Sequence, residues 1–233
     1  MADLIVALDL PSSEEALGLV DRLGDTVGWY KVGSPLFTRS GPPLLGELAA
    51  RGKRIFLDLK FHDIPSTVAG AVESAASHGV DLLTVHSTGG TEMLQAAAEA
   101  AGRDGPRILA VTILTSFTPA GVEEVWNREL LSVRDEVSRL GDLAAAAGVH
   151  GVVCSPLEAE LMRRRHGPDF LVVTPGVRPA DAETGDQARV ATPEAAARAG
   201  ADYLVVGRPI WKAADPVDVV KRIRQAIAVP EGV

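Results

Sequence analysis

The chain has 233 residues, 46% of them hydrophobic, which is enough for one large core. Its formal net charge of −8 at pH 7 argues against nucleic acid and anionic membrane as partners, so an anionic ligand must be bound by a few local cations. A single cysteine, Cys154, excludes an internal disulfide and is typical of a reducing compartment. The first residues lack a basic stretch and no apolar run reaches membrane-spanning length, so we expect a cytoplasmic protein.

Eight short apolar runs alternate along the chain with stretches rich in alanine, leucine and glutamate. The apolar runs predict strands at 4–10, 29–33, 55–60, 82–87, 108–114, 151–155, 171–177 and 203–207. The stretches between them predict helices at 13–23, 42–51, 67–78, 91–101, 137–147, 156–165, 193–199 and 216–228. Serine or proline opens several of these helices and glycine follows most of them, as is typical of helix ends.

This alternation indicates the fold class. Strands that are apolar on both faces and are separated by helices predict a parallel sheet covered by helices. Eight such units in a chain of this length most often close into a barrel. The predicted fold is therefore α/β, a single-domain (β/α)8 TIM barrel over residues 1–233, with a doubly wound open sheet as the alternative.

The strand predicted at 55–60 carries an unusual set of charges. Because side chains alternate along a strand, Asp58 and Lys60 are expected to point to the same face. A carboxylate and an ammonium in a core strand each lose hydration and need a partner, and Asp63 adds a second carboxylate just beyond. A structural ion pair is one explanation. The position at the C-terminal end of a strand favours catalysis.

Polar side chains also follow the other predicted strands, where the active site of a barrel is built. They are Asp9, Lys31, His86 with Ser87, Thr115 with Ser116, Arg178, and Gly207 with Arg208. The opposite strand ends are mostly plain turns that contain glycine. This asymmetry predicts an active site on one face of the barrel.

The loops after the seventh and eighth predicted strands have the composition of a phosphate site. Barrels often bind phosphate at these two loops through backbone N–H groups and a helix N-terminus. Gly207 would let the backbone approach an anion, and the guanidinium groups of Arg178 and Arg208 could pair with it, although two surface charges are the alternative. The polar segment 179–187 could close over a ligand as a lid.

The five histidines show no spacing typical of metal ligands, so no metal site is predicted. His78, His150 and His166 lie near predicted helix ends and are expected to be solvent-exposed caps. His62 and His86 lie nearer the active face, where structural hydrogen bonding is expected ahead of catalysis.

The segment Asp58-Leu59-Lys60-Phe61-His62-Asp63-Ile64-Pro65 resembles the signature of the orotidine 5'-phosphate decarboxylase family, most closely its short bacterial form. The wider superfamily shares only Asp-x-Lys-x-x-Asp, so the His-Asp-Ile-Pro continuation is the specific part. Further similar segments follow in order over nearly the whole chain: Ala7-Leu8-Asp9, Lys31-Val32-Gly33, Val85-His86, Leu114-Thr115-Ser116, Val153-Cys154-Ser155, Thr174-Pro175-Gly176-Val177-Arg178-Pro179, Gly185-Asp186-Gln187 and Gly207-Arg208-Pro209.

The resemblance implies decarboxylation of orotidine 5'-phosphate to UMP and carbon dioxide, with no metal or cofactor. It implies that Lys60 protonates C6 and is held in a network with Lys31, Asp58 and an Asp63 supplied by the second subunit of a homodimer. A fixed ammonium would stabilise the C6 carbanion as carbon dioxide leaves. The implied substrate contacts are Asp9 and Lys31 to the ribose, Thr115 and Ser116 beside the pyrimidine, Arg178, Gln187, Gly207 and Arg208 to the phosphate, and Thr67.

Two other functions remain open from the sequence. A metal-dependent sugar-phosphate decarboxylase or aldolase of the same superfamily would share Asp-x-Lys-x-x-Asp, but would need an acidic metal ligand near the end of the second strand. Lys31 stands there and disfavours a divalent cation. A non-catalytic nucleotide-binding barrel is the other alternative, and the retention of every charged member of the network argues against it.

Overall fold

The computed structural model describes residues 2–129, 131–178 and 191–228. It confirms the predicted fold class, because eight parallel strands close into a barrel in chain order. The alternative of an open sheet is wrong, since the first strand pairs with the last, with Ile5 opposite Val205. The strands are β1 (Asp3–Ala7), β2 (Trp29–Gly33), β3 (Arg54–Phe61), β4 (Leu82–His86), β5 (Arg107–Val111), β6 (Gly151–Val153), β7 (Leu171–Thr174) and β8 (Tyr203–Val206).

Helices follow the strands and cover the outside of the barrel. All eight predicted helices are present, with ends shifted by a few residues. The helices are α1 (Ser13–Leu23), α2 (Ser34–Ser40), α3 (Pro42–Ala50), α4 (Pro65–Ser77), α5 (Gly90–Ala101), α6 (Pro119–Trp126), α7 (Val133–Ala146), α8 (Pro156–His166), α9 (Pro193–Arg198), α10 (Arg208–Trp211) and α11 (Pro216–Ile227). In the part of the chain that the structure describes, no helix is long and apolar enough to cross a membrane.

Three helices, α2, α6 and α10, are not predicted by the sequence pattern. Each has a proline in its first two positions and spans at most eight residues. Proline fits the first turn of a helix because its missing N–H would have no partner there. Such short segments show too little apolar periodicity to be recognised in the sequence.

The buried residues form two layers. The larger lies between the strands and the surrounding helices and includes Val20 of α1, Leu94 of α5 and Ile223 of α11. A smaller cluster comes entirely from the strands and fills the inside of the barrel: Ile5, Ala7, Trp29, Phe56, Leu82, Leu109, Val173 and Val205. Three of its members also line the cavity at the C-terminal ends of the strands, so the inner core supports that cavity from below.

Candidate active site

A cavity of about 490 Å³ opens where the strands end, which is where the sequence places the active site. Its volume falls in the range of sites that bind small molecules. Eight of the predicted site residues line it: Asp9, Lys31, Asp58, Lys60, Thr115, Arg178, Gly207 and Arg208. The closed barrel brings together residues that lie up to 199 positions apart in the sequence, between Asp9 and Arg208.

Four of these side chains alternate in sign and contact one another in order; we call Asp9, Lys31, Asp58 and Lys60 the charged row. The Nζ atom of Lys31 lies 2.9 Å from Oδ1 of Asp9 and 3.5 Å from Oδ2 of Asp58. The Nζ atom of Lys60 lies 2.8 Å from Oδ1 of Asp58. The Asp58 carboxylate therefore bridges the two ammonium groups, and the side chains of Asp58 and Lys60 meet as the strand pattern predicts.

The inner members of the charged row are charged because they contact each other. Burial alone would lower the pKa of the Lys31 ammonium, but the carboxylates of Asp58 and Asp9 outweigh it and raise that pKa. Burial alone would raise the pKa of the Asp58 carboxyl, but the ammonium groups of Lys31 and Lys60 outweigh it and lower that pKa. Around neutral pH, the Lys31 side chain is therefore an ammonium and the Asp58 side chain a carboxylate.

Exposure distinguishes the two lysines. The Lys31 side chain is 11% exposed, whereas that of Lys60 is 33% exposed. Lys31 lies between two carboxylates, while Lys60 ends the row and, among the described residues, pairs with the carboxylate of Asp58 alone. Lys60 is therefore the ammonium best placed to contact a ligand in the cavity.

The backbone at Lys60 is not that of a regular strand. Leu57 pairs with Leu83 and Phe61 pairs with Val85, so β3 uses three residues where β4 uses one. Lys60 has a φ of +54°, a left-handed conformation that is uncommon for any residue other than glycine. The side chains of Asp58 and Lys60 therefore meet as simple alternation along a strand predicts, but the backbone that brings them together is not that of a regular strand. Residues in such conformations cluster at functional sites.

Gly33, at the end of β2, gives the Lys31 ammonium its space. A Cβ atom at this position would lie 2.9 Å from Nζ of Lys31 and 3.4 Å from Oδ1 of Asp9. The φ angle of Gly33 is −97°, which any residue can adopt, so the requirement is for room and not for backbone freedom. The sequence reasoning did not assign Gly33 a role. The available signal was its position two residues after Lys31, on the same face of the strand.

Two arginines line the same cavity after β7 and β8. Arg178 is 9% exposed. Burial lowers the pKa of its guanidinium, and the charge of Arg208 lowers it further. Two cations close enough to repel each other create the positive potential that an anionic ligand needs in a protein of net charge −8. Gln187 and the predicted lid, 179–187, lie outside the described residues.

Three predicted site residues are exposed and do not line the cavity: Asp63, Thr67 and Ser116. Asp63 accepts a hydrogen bond from the backbone N–H of Ile64 at 2.6 Å. It lines a shallow depression on the surface together with His62, Ile64, Pro65, Thr88 and Gly89. Within a single chain, these three residues are therefore separate from the charged row.

The rest of the cavity lining is mostly apolar, which the sequence reasoning did not identify. It includes Ile113, Leu114, Val153, Cys154, Val177, Pro209 and Trp211. Apolar residues at strand ends follow the same sequence pattern as core residues, so only the closed barrel distinguishes them. Among the described residues, no group of three or more His, Cys, Asp or Glu side chains is placed to hold a metal ion.

The expectation that His150 and His166 are exposed caps is wrong. Nδ1 of His150 accepts a hydrogen bond from the backbone N–H of Ile108 at 2.9 Å, and its side chain is half-buried. The His166 side chain is 11% exposed and packs on the ring of Phe170, with ring centroids 4.8 Å apart. Proximity to a helix end did not reveal these contacts, because they are made with other elements of the barrel.

Comparison with known proteins identifies the family. The family described as "Orotidine 5'-phosphate decarboxylase / HUMPS family" matches residues 2–223. Curated orotidine 5'-phosphate decarboxylases from Halorhodospira halophila and Nostoc sp. are 51% and 49% identical, and the alignments cover 97% and 96% of this chain and 95% and 96% of theirs. The crystal structure of the orotidine 5'-phosphate decarboxylase from Lactobacillus acidophilus has a TM-score of 0.87 at 37% identity, covering 98% of this chain and all of that one. The chain belongs to the orotidine 5'-phosphate decarboxylase / HUMPS family.

Proposed function

We propose that the protein decarboxylates orotidine 5'-phosphate to UMP and carbon dioxide, the reaction for which its curated relatives are named. The observation that carries this proposal is the charged row, in which a partly exposed ammonium, Lys60, ends a series of ion pairs inside the cavity. The substrate is anionic at its carboxylate and at its phosphate. The cavity offers lysines on β2 and β3 and arginines after β7 and β8, which match these two groups.

Lys60 supplies the chemistry. As the bond between C6 and the carboxylate breaks, its electron pair stays on C6 and carbon dioxide leaves. The ammonium of Lys60, fixed in the cavity by its ion pair with Asp58, stabilises that developing negative charge. The ammonium then gives a proton to C6 and becomes a neutral amine, which regains a proton from water. No electrons are exchanged with another molecule, so no redox cofactor is required.

Asp58, which Lys31 also contacts, holds Lys60 in position. Asp58 contacts both lysines, and its own carboxylate is kept ionised by them. A carboxylate at this position would also repel the carboxylate of the bound substrate more than the neutral carbon dioxide that departs. We treat that repulsion as secondary to stabilisation of the carbanion.

The proposed substrate contacts divide along the cavity. Asp9 and Lys31 bind the ribose hydroxyls, and Thr115 lies beside the pyrimidine. The phosphate is bound by Gln187, Arg178, Gly207 and Arg208. Gly207 also packs closely beside β1, because a Cβ atom there would lie 3.3 Å from the Cβ atom of Ala7 and 3.6 Å from Oδ2 of Asp9. Ser116 and Thr67 complete the proposed set, although neither lines the cavity of a single chain.

We propose further that the active site is shared between two subunits. Asp63 is exposed, and its neighbour Ile64 is 64% exposed, so this segment presents an apolar side chain beside a carboxylate. In an isologous dimer, each Asp63 would reach the partner's Lys60 and extend the charged row by one more carboxylate. Thr67, the third residue of α4, would enter the same site of the partner subunit.

The function is tested by following the absorbance of orotidine 5'-phosphate with and without a chelator. We expect turnover that chelation leaves unchanged, since Lys31 already occupies the space between the carboxylates of Asp9 and Asp58. Activity lost on chelation and restored by magnesium would place the protein among the metal-dependent sugar-phosphate enzymes. Binding of UMP without any turnover would identify a nucleotide-binding barrel.

The shared site is tested by mixing two inactive homodimers, Lys60→Ala and Asp63→Ala. After subunit exchange, one site of each heterodimer carries both substitutions and the other carries neither. Activity should return to about half of the wild-type value per heterodimer. Exchange that is confirmed by mass without recovery of activity would show that Asp63 acts within its own subunit.

A further inference from the structure

We propose that Thr84 is a positioning residue for the proposed decarboxylation, whose hydroxyl fixes both the backbone of Lys60 and the carboxylate of Asp58. This inference rests on the proposed function. Thr84 lies in the middle of β4, is fully buried, and is not among the residues that line the cavity. It acts on the charged row from behind, through the strand that pairs with β3.

The hydrogen bonds of Thr84 run in one direction. The backbone N–H of Lys60 donates to Oγ1 of Thr84 at 2.9 Å, and Oγ1 of Thr84 donates to Oδ1 of Asp58 at 3.1 Å. A backbone N–H can only donate and an ionised carboxylate can only accept, so the single hydroxyl hydrogen must point to Asp58. The hydroxyl therefore links the two residues in the order Lys60, Thr84, Asp58.

The bulge in β3 explains why this link is needed. Between the pairs Leu57–Leu83 and Phe61–Val85, Thr84 alone lies opposite three residues of β3. The N–H of Lys60 donates to the Thr84 hydroxyl in place of a carbonyl on the neighbouring strand. Without that acceptor, a partly buried N–H would lose its partner at a residue whose φ of +54° is already unfavourable.

The carboxylate of Asp58 is fixed by the same group. Its Oδ1 accepts from Thr84 and also from Nζ of Lys60, at 3.1 and 2.8 Å. Lys60 is therefore tied to one oxygen atom twice, directly through its ammonium and indirectly through its backbone N–H. Burial would raise the pKa of Asp58, and after the two ammonium groups the Thr84 hydroxyl helps to lower it.

A purely structural role for Thr84 makes different predictions from a positioning role. Valine has nearly the same shape as threonine and would fill the same space in the core, but it has no hydroxyl. Serine keeps the hydroxyl and loses only a methyl group. If the site depends on the hydroxyl, Thr84→Val should damage catalysis and Thr84→Ser should largely preserve it.

The test measures kcat, KM and the pH dependence of kcat/KM for both variants. We expect Thr84→Val to lower kcat about 10- to 100-fold, the usual effect of removing a group that orients a functional side chain, with KM changed less. We expect Thr84→Ser to stay within about threefold of wild type on the same reasoning. Losing the hydroxyl raises the pKa of Asp58, so the acid limb of the profile should move to higher pH in the valine variant alone.

Thr112→Val is the matched control. Thr112 is also buried, and its hydroxyl donates to a backbone carbonyl, that of Val153, at 3.0 Å. Within the described residues its hydroxyl makes no hydrogen bond to the charged row, so this variant should lose stability without moving the pH profile. Should Thr84→Val fail to fold, Thr84→Cys replaces it, because its thiol is only a weak donor.

An unchanged kcat and pH profile in Thr84→Val would overturn the proposal, as would a loss of kcat equal to that of Thr112→Val. A crystal structure of Thr84→Val separates this inference from the proposed function. We expect the Lys60 φ or the Asp58 carboxylate to differ from wild type. Unchanged geometry at both would refute the positioning role even if the wild-type protein proved inactive on orotidine 5'-phosphate.

Discussion

Polar side chains at the two ends of the barrel have different partners: backbone N–H groups at one end and other charged side chains at the other. At the N-terminal end, Asp81, His150 and Asp202 each stand just before a strand and accept a backbone N–H from the strand before it. These bonds, to Ile55, Ile108 and Val172, measure 2.7, 2.9 and 2.7 Å. At the C-terminal end, the members of the charged row contact mainly one another.

This difference separates stability from function. A side chain that accepts a hydrogen bond from a backbone N–H replaces the carbonyl acceptor that is missing at the end of the sheet, and this is its whole role. The side chains of the charged row pair with each other, and the last of them, Lys60, is still partly exposed to the cavity. Substitutions at the first end should therefore change stability, and those at the second should change turnover. The following predictions test that separation, from the largest expected effect to the smallest.

Lys60→Ala should abolish turnover while the barrel stays folded. In the proposed mechanism Lys60 provides both the stabilising charge and the proton, so we expect a loss above the ~10²–10⁴-fold typical of a general acid alone. Steady-state kinetics measures the loss, and circular dichroism checks the fold. Lys221→Ala, an exposed lysine on α11, serves as the control. If the variant kept more than about a tenth of wild-type activity, the role of Lys60 would be contradicted. A loss that small is below the effect of removing a general acid.

Gly33→Ala should disturb the charged row without removing any charge. The new methyl group would lie 2.9 Å from Nζ of Lys31, so that ammonium must move. A displacement of about 1 Å in a catalytic site can cost about 10²-fold in rate, and we expect a loss of that order in kcat/KM. Gly18→Ala is the matched control, because nothing lies within 4 Å of a Cβ atom at that helical position. Equal activity in both variants would mean that the position of Lys31 is not critical.

Asp202→Ala should act only on stability. Its carboxylate pairs with Arg163 and accepts the N–H of Val172, and both groups would lose that partner. We expect a loss of about 1–3 kcal/mol in the free energy of unfolding, measured in urea, with kcat and KM unchanged. A fall in kcat in the folded enzyme would break the separation between the two ends of the barrel.

His150 should make the N-terminal end sensitive to pH. Burial lowers its pKa, and the charge of Arg107 lowers it further. The folded state therefore favours the neutral imidazole, and the unfolded state binds more protons below the ordinary pKa of 6.5. Stability from this group is present above pH 6.5 and is lost as the pH falls toward the lowered pKa. Urea unfolding at pH 7.5 and 5.5 should show a smaller pH effect in His150→Gln than in wild type. Equal pH effects in the two proteins would contradict this contribution of His150.

The sequence predicted the barrel because each strand and helix is marked locally by its apolar pattern and its ends. It located the charged row because strand ends meet on one face in this fold. It did not reveal the left-handed Lys60, since a strand with a bulge has the same composition as one without. It also did not show that Thr67 and Ser116 lie outside the cavity of a single chain, because the path of the loops after the strands is not encoded in the apolar pattern.

The bulge in β3 also makes the amide of Lys60 a local reporter. Most amides in a barrel strand exchange their hydrogen with water only when the strands separate. The amide of Lys60 donates to a side-chain hydroxyl, so rotation of Thr84 can release it while β3 and β4 remain paired. Its exchange rate therefore measures how often Lys60 loses its backbone support, independently of the opening of the barrel.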